Sequence, residues 1–201
     1  MNNAILSHFR KNDPRIVPLL ESIVLEEIVS RRPQDFFVSL TSEIIGQQLS
    51  GRVADVIEGR FRKLFGRKRI TPAAVLAVSD DALRGTGMSW SKVHFIKDLA
   101  DKVVKKDVDL SRLTTLDDHD VIIELTKIKG IGPWTAEMFL IFTLGRPDVF
   151  SYGDLGLRQA IQKLYGLRKE PTVRQMERLT KRWSPYRTHA ARVLWRYKDA
   201  K

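Results

Sequence analysis

Apolar residues recur along this chain at helical spacing and almost nowhere alternate. Phe37, Leu40 and Ile44 fall at i, i+3 and i+7; Val53, Val56, Ile57 and Leu64 form a second stripe; Val93, Ile96, Ala100 and Val103 form a third. A period near 3.6 gathers such residues on one side of a helix, whereas a half-buried strand needs a period of two. The expected fold is therefore all-α, with roughly ten short helices at usual helix lengths. Start signals recur: Thr71-Pro72, Ser79-Asp80-Asp81 and Ser184-Pro185 each place a capping side chain before a helix. Gly85 and Gly87 stop a short helix before Ser89 opens a long one. No internal repeat or low-complexity tract interrupts the pattern.

The chain has 201 residues, 43% of them hydrophobic, enough for a real core in one domain or two lobes. No run of about 18 apolar residues occurs, so no membrane span is expected. The first ten residues lack the apolar core of a secretory signal. The absence of cysteine excludes disulfides, thiolate zinc sites and cysteine-ligated iron–sulfur clusters. A cytoplasmic, nucleoid-associated location is expected, or a nuclear one in a eukaryote. Formal net charge is +11, and its distribution says more than its size. From Arg158 to Lys201 thirteen Lys and Arg face three acids, a surplus of ten. A localised basic surface favours a polyanion partner over a merely solvated face. Arg174, Arg178, Lys181 and Arg182 share one helix face. In the last helix His189, Arg192 and Arg196 face one way and Ala190, Val193, Leu194 and Tyr197 the other, which predicts an apolar side inward and a free cationic side.

The segment Leu125-Thr126-Lys127-Ile128-Lys129-Gly130-Ile131-Gly132-Pro133-Trp134-Thr135-Ala136 reads as a helix end, a glycine hairpin and a helix start. Gly130 and Gly132 permit close backbone approach, and Pro133 suits a first helical residue. Hairpin and helix-start N–H groups can then point at a phosphate. Ile131 is expected in the apolar layer between the helices, with Lys127 and Lys129 adding charge. A lone Gly-x-Gly would be an ordinary helix–helix turn; the full pattern is more specific. Twenty residues beyond Trp134, Asp154 stands at a helix start. By itself it reads as an N-cap, with Arg158 as an ion-pair neighbour.

Four motifs now combine: Ile44-Ile45-Gly46-Gln47-Gln48-Leu49-Ser50, Gly87-Met88-Ser89-x-x-Lys92, the hairpin, and Asp154-Leu155-Gly156-Leu157. With them the chain, from about Phe36 to Trp195, resembles the helix-hairpin-helix DNA glycosylase superfamily, in its 3-methyladenine DNA glycosylase II branch. The resemblance implies a two-lobed all-α fold with the cleft between the lobes: a central lobe over 36–147, and a second lobe joining 1–35 to 148–201. Better-known bacterial members carry an additional N-terminal sheet domain, and this chain is similar to the compact form.

The same resemblance implies a monofunctional glycosylase of base excision repair. It would flip alkylated purines of the 3-methyladenine and 7-methylguanine type out of double-stranded DNA and hydrolyse their N-glycosidic bond. Asp154 matches the catalytic aspartate, an anion that stabilises an oxocarbenium-like sugar. Trp134 stands where bifunctional relatives carry an attacking lysine, so no strand cleavage is expected. Trp134, Tyr186 and Glu137 are candidates for the base pocket, where electron-rich rings would hold a cationic base. Trp183 and Trp195 are assigned to the core. Gln47, Gln48 and Leu49 match the turn that plugs the vacated stack. Gln48 aligns with the inserted side chain, and Leu49 is kept because wedges are commonly apolar. Lys127, Lys129, Gly130, Ile131 and Gly132 would hold backbone phosphate. No cofactor or assigned metal is expected, apart from a monovalent cation on the hairpin carbonyls as in relatives. The protein is expected to act as a monomer away from membranes. Alternatives are a glycosylase for deaminated, etheno or oxidised bases, and a non-catalytic helix-hairpin-helix DNA-binding protein.

Overall fold

The computed structural model describes residues 3–27 and 29–199, and its regular elements there are all helical. In chain order they are α1 (Asn3–Asn12), α2 (Val17–Ser22), α3 (Phe36–Gly46), α4 (Gly51–Lys63), α5 (Pro72–Ala77), α6 (Asp80–Arg84), α7 (Trp90–Lys105), α8 (Asp118–Thr126), α9 (Pro133–Phe142), α10 (Leu155–Tyr165), α11 (Val173–Thr180) and α12 (Arg187–Asp199). Short 3-10 turns link several of them. The chain divides into two compact units, Ser30–Leu144 and Met1–Val29 with Gly145–Lys201. No helix among the described residues is long and apolar enough to cross a membrane.

In the unit Ser30–Leu144, α3, α5 and α6 pack on α7, while α8 and α9 pair and α9 also meets α3. The Phe36 and Phe139 rings meet edge-on at 5.4 Å. The first and third apolar stripes lie inward: Phe37, Leu40, Ile44, Val93, Ile96 and Ala100 are buried. The second does not behave this way. Ile57 and Phe61 are buried, but Val53 and Val56 are 45% and 48% exposed and Leu64 is 40% exposed. The helix α4 packs chiefly on α3, so only a narrow strip of it is covered. Thr71, Ser79 and Ser89 cap as expected, accepting the amides of Ala74, Ala82 and Lys92.

In the other unit, α10 packs on α12 and α2 also meets α12. The core gathers Phe9, Ile16, Leu157, Ile161, Met176, Val193 and Leu194 around Trp183, which is fully buried. The Trp183 indole donates to Asp13 Oδ2 at 2.7 Å, and the Tyr165 hydroxyl donates to the same oxygen. Ser184 is not the expected cap. Its hydroxyl donates to Asp148 Oδ2 at 2.7 Å, and α12 begins only at Arg187. The polar side of α12 is also less cationic than its sequence suggests. Arg192 turns back to donate to the Glu26 carbonyl at 2.8 Å. Burial, and then Arg192, push His189 below the usual histidine range, which disfavours its charged form. Arg174, Arg178, Lys181, Arg182 and Arg196 are exposed.

Candidate active site and DNA-contacting elements

Asp154 is the N-cap of α10. Its Oδ1 accepts the Leu157 amide at 2.7 Å and the Trp195 indole N–H at 3.1 Å. The first bond satisfies one of the amides that a helix start leaves unpaired, and the position faces the positive end of the helix dipole. The second comes from α12 and fixes the carboxylate from another direction. Trp195, assigned to the core from sequence, is only partly buried and spends its polar edge on this carboxylate. Gly156 supplies the room. A Cβ there would lie 3.0 Å from Asp154 Oδ1 and 3.5 Å from Trp195 Cδ1. The glycine of Asp-Leu-Gly-Leu was the available signal, but only the fold shows what it makes way for.

Tyr186 heads α12, where its carbonyl accepts the His189 amide at 3.0 Å. Its ring meets His8 edge-on at 5.2 Å and is partly buried against the core. Both flanking segments are pinned by Asp148. Arg187 forks onto it through Nε at 2.8 Å and Nη2 at 2.9 Å, its backbone N–H adds a bond at 3.1 Å, and Ser184 completes the set. Burial raises the Asp148 pKa, but the bonds from Arg187 and Ser184 outweigh it and hold the carboxyl below its ordinary value.

The hairpin lies in the other unit, between α8 and α9. Gly130 adopts φ +81°, and a Cβ on it would sit 2.1 Å from the Phe95 ring. Only glycine fits there, on both backbone and steric grounds. Ile128 and Ile131 are buried, and Gly132 and Pro133 open α9 as N-cap and first residue. The two lysines have acidic neighbours. Lys127 pairs with Glu124 at 2.5 Å, and the Lys129 ammonium is 3.8 Å from Asp98. Asp98 also accepts the Lys129 amide at 2.8 Å, so that N–H is engaged within the protein. Trp134 is 46% exposed, and Glu137, one turn on and half-buried, shares its face of α9.

The turn after α3 reaches this hairpin. The Gln47 side-chain amide donates to the Gly130 carbonyl at 2.8 Å and to Thr135 Oγ1 at 3.4 Å. Gln48 adopts φ +57°, and Gln48 and Leu49 are exposed. Of the three wedge candidates, Gln47 is thus tied to the hairpin and the other two point outward. Lys92, whose motif carried no role in the sequence reading, donates from Nζ to the Ile45 and Gln47 carbonyls, each at 2.7 Å. Burial lowers its pKa from the usual lysine value. Among the described residues no group of three or more His, Cys, Asp and Glu could hold a metal ion.

Residues 41–185 match the family described as HhH-GPD superfamily base excision DNA repair protein. The chain belongs to this superfamily. It is similar to the DNA-3-methyladenine glycosidase of Bacillus halodurans, with 35% identity and a TM-score of 0.83 over 98% of this chain and 89% of that one. It is similar to the Schizosaccharomyces pombe 3-methyladenine DNA glycosylase Mag1, solved with abasic DNA, with 28% identity and a TM-score of 0.78 over 98% of both chains. Among curated proteins it is 31% identical to the putative DNA-3-methyladenine glycosylase YfjP of Bacillus subtilis, over 96% of this chain and 68% of that protein.

Proposed function

We propose that this protein is a monofunctional DNA glycosylase that hydrolyses the N-glycosidic bond of alkylated purines in double-stranded DNA. The observation that carries the reading is the carboxylate of Asp154, fixed by two N–H donors at the start of α10. In the reaction the bond between C1′ and the purine nitrogen breaks, and its electron pair leaves with the base. The sugar becomes oxocarbenium-like, and the anion of Asp154 stabilises it. Water then adds to C1′ and gives up a proton, leaving an abasic site. Methylation at N3 or N7 puts a positive charge on the base, so it departs neutral and needs little general-acid help. Trp134, with Glu137 on the same face of its helix, and Tyr186 each carry an electron-rich ring of the kind that attracts a cationic base.

The hairpin presents glycine amides to a phosphate, while Gln48 and Leu49 fill the gap left by the flipped nucleotide. Trp134 carries no amine, so the reaction stops at the abasic site without a Schiff base. A monovalent cation on the hairpin belongs to the same reading. The Ile128 and Gly130 carbonyls each accept one bond, from the Ile131 amide and from Gln47, and each oxygen has a second lone pair. No step depends on that cation. The protein acts as a monomer, which sedimentation in the presence and absence of DNA checks.

The deciding experiment measures single-turnover release of 3-methyladenine, 7-methylguanine, hypoxanthine, ethenoadenine and 8-oxoguanine from duplexes, with the wild type and Asp154→Asn. Alkylated purines are released by the wild type, and the variant is slower by about 100- to 1,000-fold. Borohydride traps no covalent adduct. An unchanged rate in the variant would remove Asp154 from the chemistry, and release of only the other bases would reassign the substrate.

A further inference from the structure

We propose that α7 is the strut that fixes the wedge turn against the phosphate-binding hairpin, with Lys92 as the positioning residue for the wedge. The inference rests on reading the Gln47–Leu49 turn as a DNA wedge. The Gly87-Met88-Ser89-x-x-Lys92 motif sets where the strut begins. Gly87 turns the chain at φ +105°, Arg84 donates to the Met88 carbonyl, and Met88 is buried. Ser89 then caps α7 by accepting the Lys92 amide at 3.3 Å. Three side chains at i, i+3 and i+6 project from one arc of the helix. The Lys92 ammonium holds the Ile45 and Gln47 carbonyls at the end of α3. The Phe95 ring lies against Gly130, and Asp98 accepts the Lys129 amide. One rigid helix thus grips both loops within two turns.

The two loops are also tied directly, through Gln47 and the Gly130 carbonyl. Lys92 holds the backbone of this same Gln47, immediately before Gln48 enters the left-handed region that a residue with a Cβ seldom adopts. The ammonium therefore neutralises the partial negative charge where α3 ends and fixes the carbonyl from which Gln48 is aimed. Without it, the turn can relax to an ordinary extended exit and Gln48 loses its direction. Lys97, also on α7, holds the Leu76 and Val78 carbonyls at the end of α5 in the same manner, at 3.1 and 2.5 Å, but touches neither loop. It serves as an internal control.

The test uses a duplex containing a tetrahydrofuran abasic analogue, with 2-aminopurine opposite the gap, so that no base excision is required. Wedge insertion unstacks the probe, and saturating wild-type protein raises its fluorescence. Lys92→Met loses more than half of that rise, Lys92→Arg recovers part of it, and Lys97→Met and Asp154→Asn retain it. In parallel, Lys92→Met slows release of a fully paired alkylated purine by about 10- to 100-fold, the worth of one or two charge-assisted bonds. Release of the same lesion from a one-nucleotide bulge, already outside the stack, changes by less than about threefold. Equal losses on paired and bulged substrates, or an unchanged fluorescence rise in Lys92→Met, would overturn the proposal. A wild type that raises the fluorescence but releases no alkylated purine would overturn the proposed function and leave the role of Lys92 standing.

Discussion

At the scale of the residue, Asp154 and Gly156 are one device. The carboxylate is useful only if it cannot turn away, and it is held by an amide of its own helix and an indole from α12. Gly156 is the space that lets this happen. Its backbone needs no glycine, since it lies inside α10 without a positive φ. Alanine there should therefore favour the helix by up to about 1 kcal/mol. The added methyl would instead push on Asp154 Oδ1, which it approaches at 3.0 Å. For Gly156→Ala we expect an unchanged or slightly raised melting temperature together with excision at least about tenfold slower, since a small misplacement of a reacting group is costly. A full rate in this variant would show that the carboxylate tolerates the shift.

At the scale of the element, the helix termini decide where side chains point. Thr71, Ser79 and Ser89 were legible because a cap is a local contract between a side chain and an amide three residues on. Ser184 has the same local pattern, yet its hydroxyl serves Asp148, thirty-six residues away in sequence. The entry to α12, and with it Tyr186, hangs on that carboxylate. Truncation of Asp148 to alanine would strand a half-buried Arg187 and should cost about 2–3 kcal/mol near neutral pH. The sign with pH follows from its depressed pKa. The pair stabilises the fold above the unfolded aspartate pKa of about 4, and its contribution is lost as pH falls through the lower folded value. Thermal melts of wild type and Asp148→Ala should therefore differ most near neutrality and converge in acid. A constant difference across pH would mean that packing, rather than the ion pair, holds α12.

At the scale of the whole molecule, net charge hides local organisation. The surplus of ten in the C-terminal fifth marks a basic stretch correctly, and Arg174 and Arg178 are exposed along α11. The near-balance of the preceding residues conceals another: Arg60, Arg62, Lys63, Arg67, Lys68 and Arg69 run without an acid between them, all of them exposed. DNA affinity should fall steeply with salt, because each neutralised phosphate releases counterions. Replacing both Arg174 and Arg178 with alanine should reduce the log–log salt slope by about 2 if both face phosphate. An unchanged slope would show that the α11 face is merely solvated.

The helical class, the starts of several helices, the glycine hairpin and the position of the carboxylate were legible in the sequence. Each is written in neighbouring residues: a 3.6-residue period, a capping side chain, a glycine that must take positive φ, and an aspartate before a helix. Which side chains serve the site was decided by the tertiary structure. Lys92, Phe95 and Asp98 read as ordinary positions on an amphipathic helix until α3 and the hairpin are packed beside them. Trp195 reads as core until α12 lies against the start of α10. A hydrogen bond depends on angle and on a distance of a few tenths of an ångström, and no sequence spacing encodes that between residues 31 to 47 positions apart.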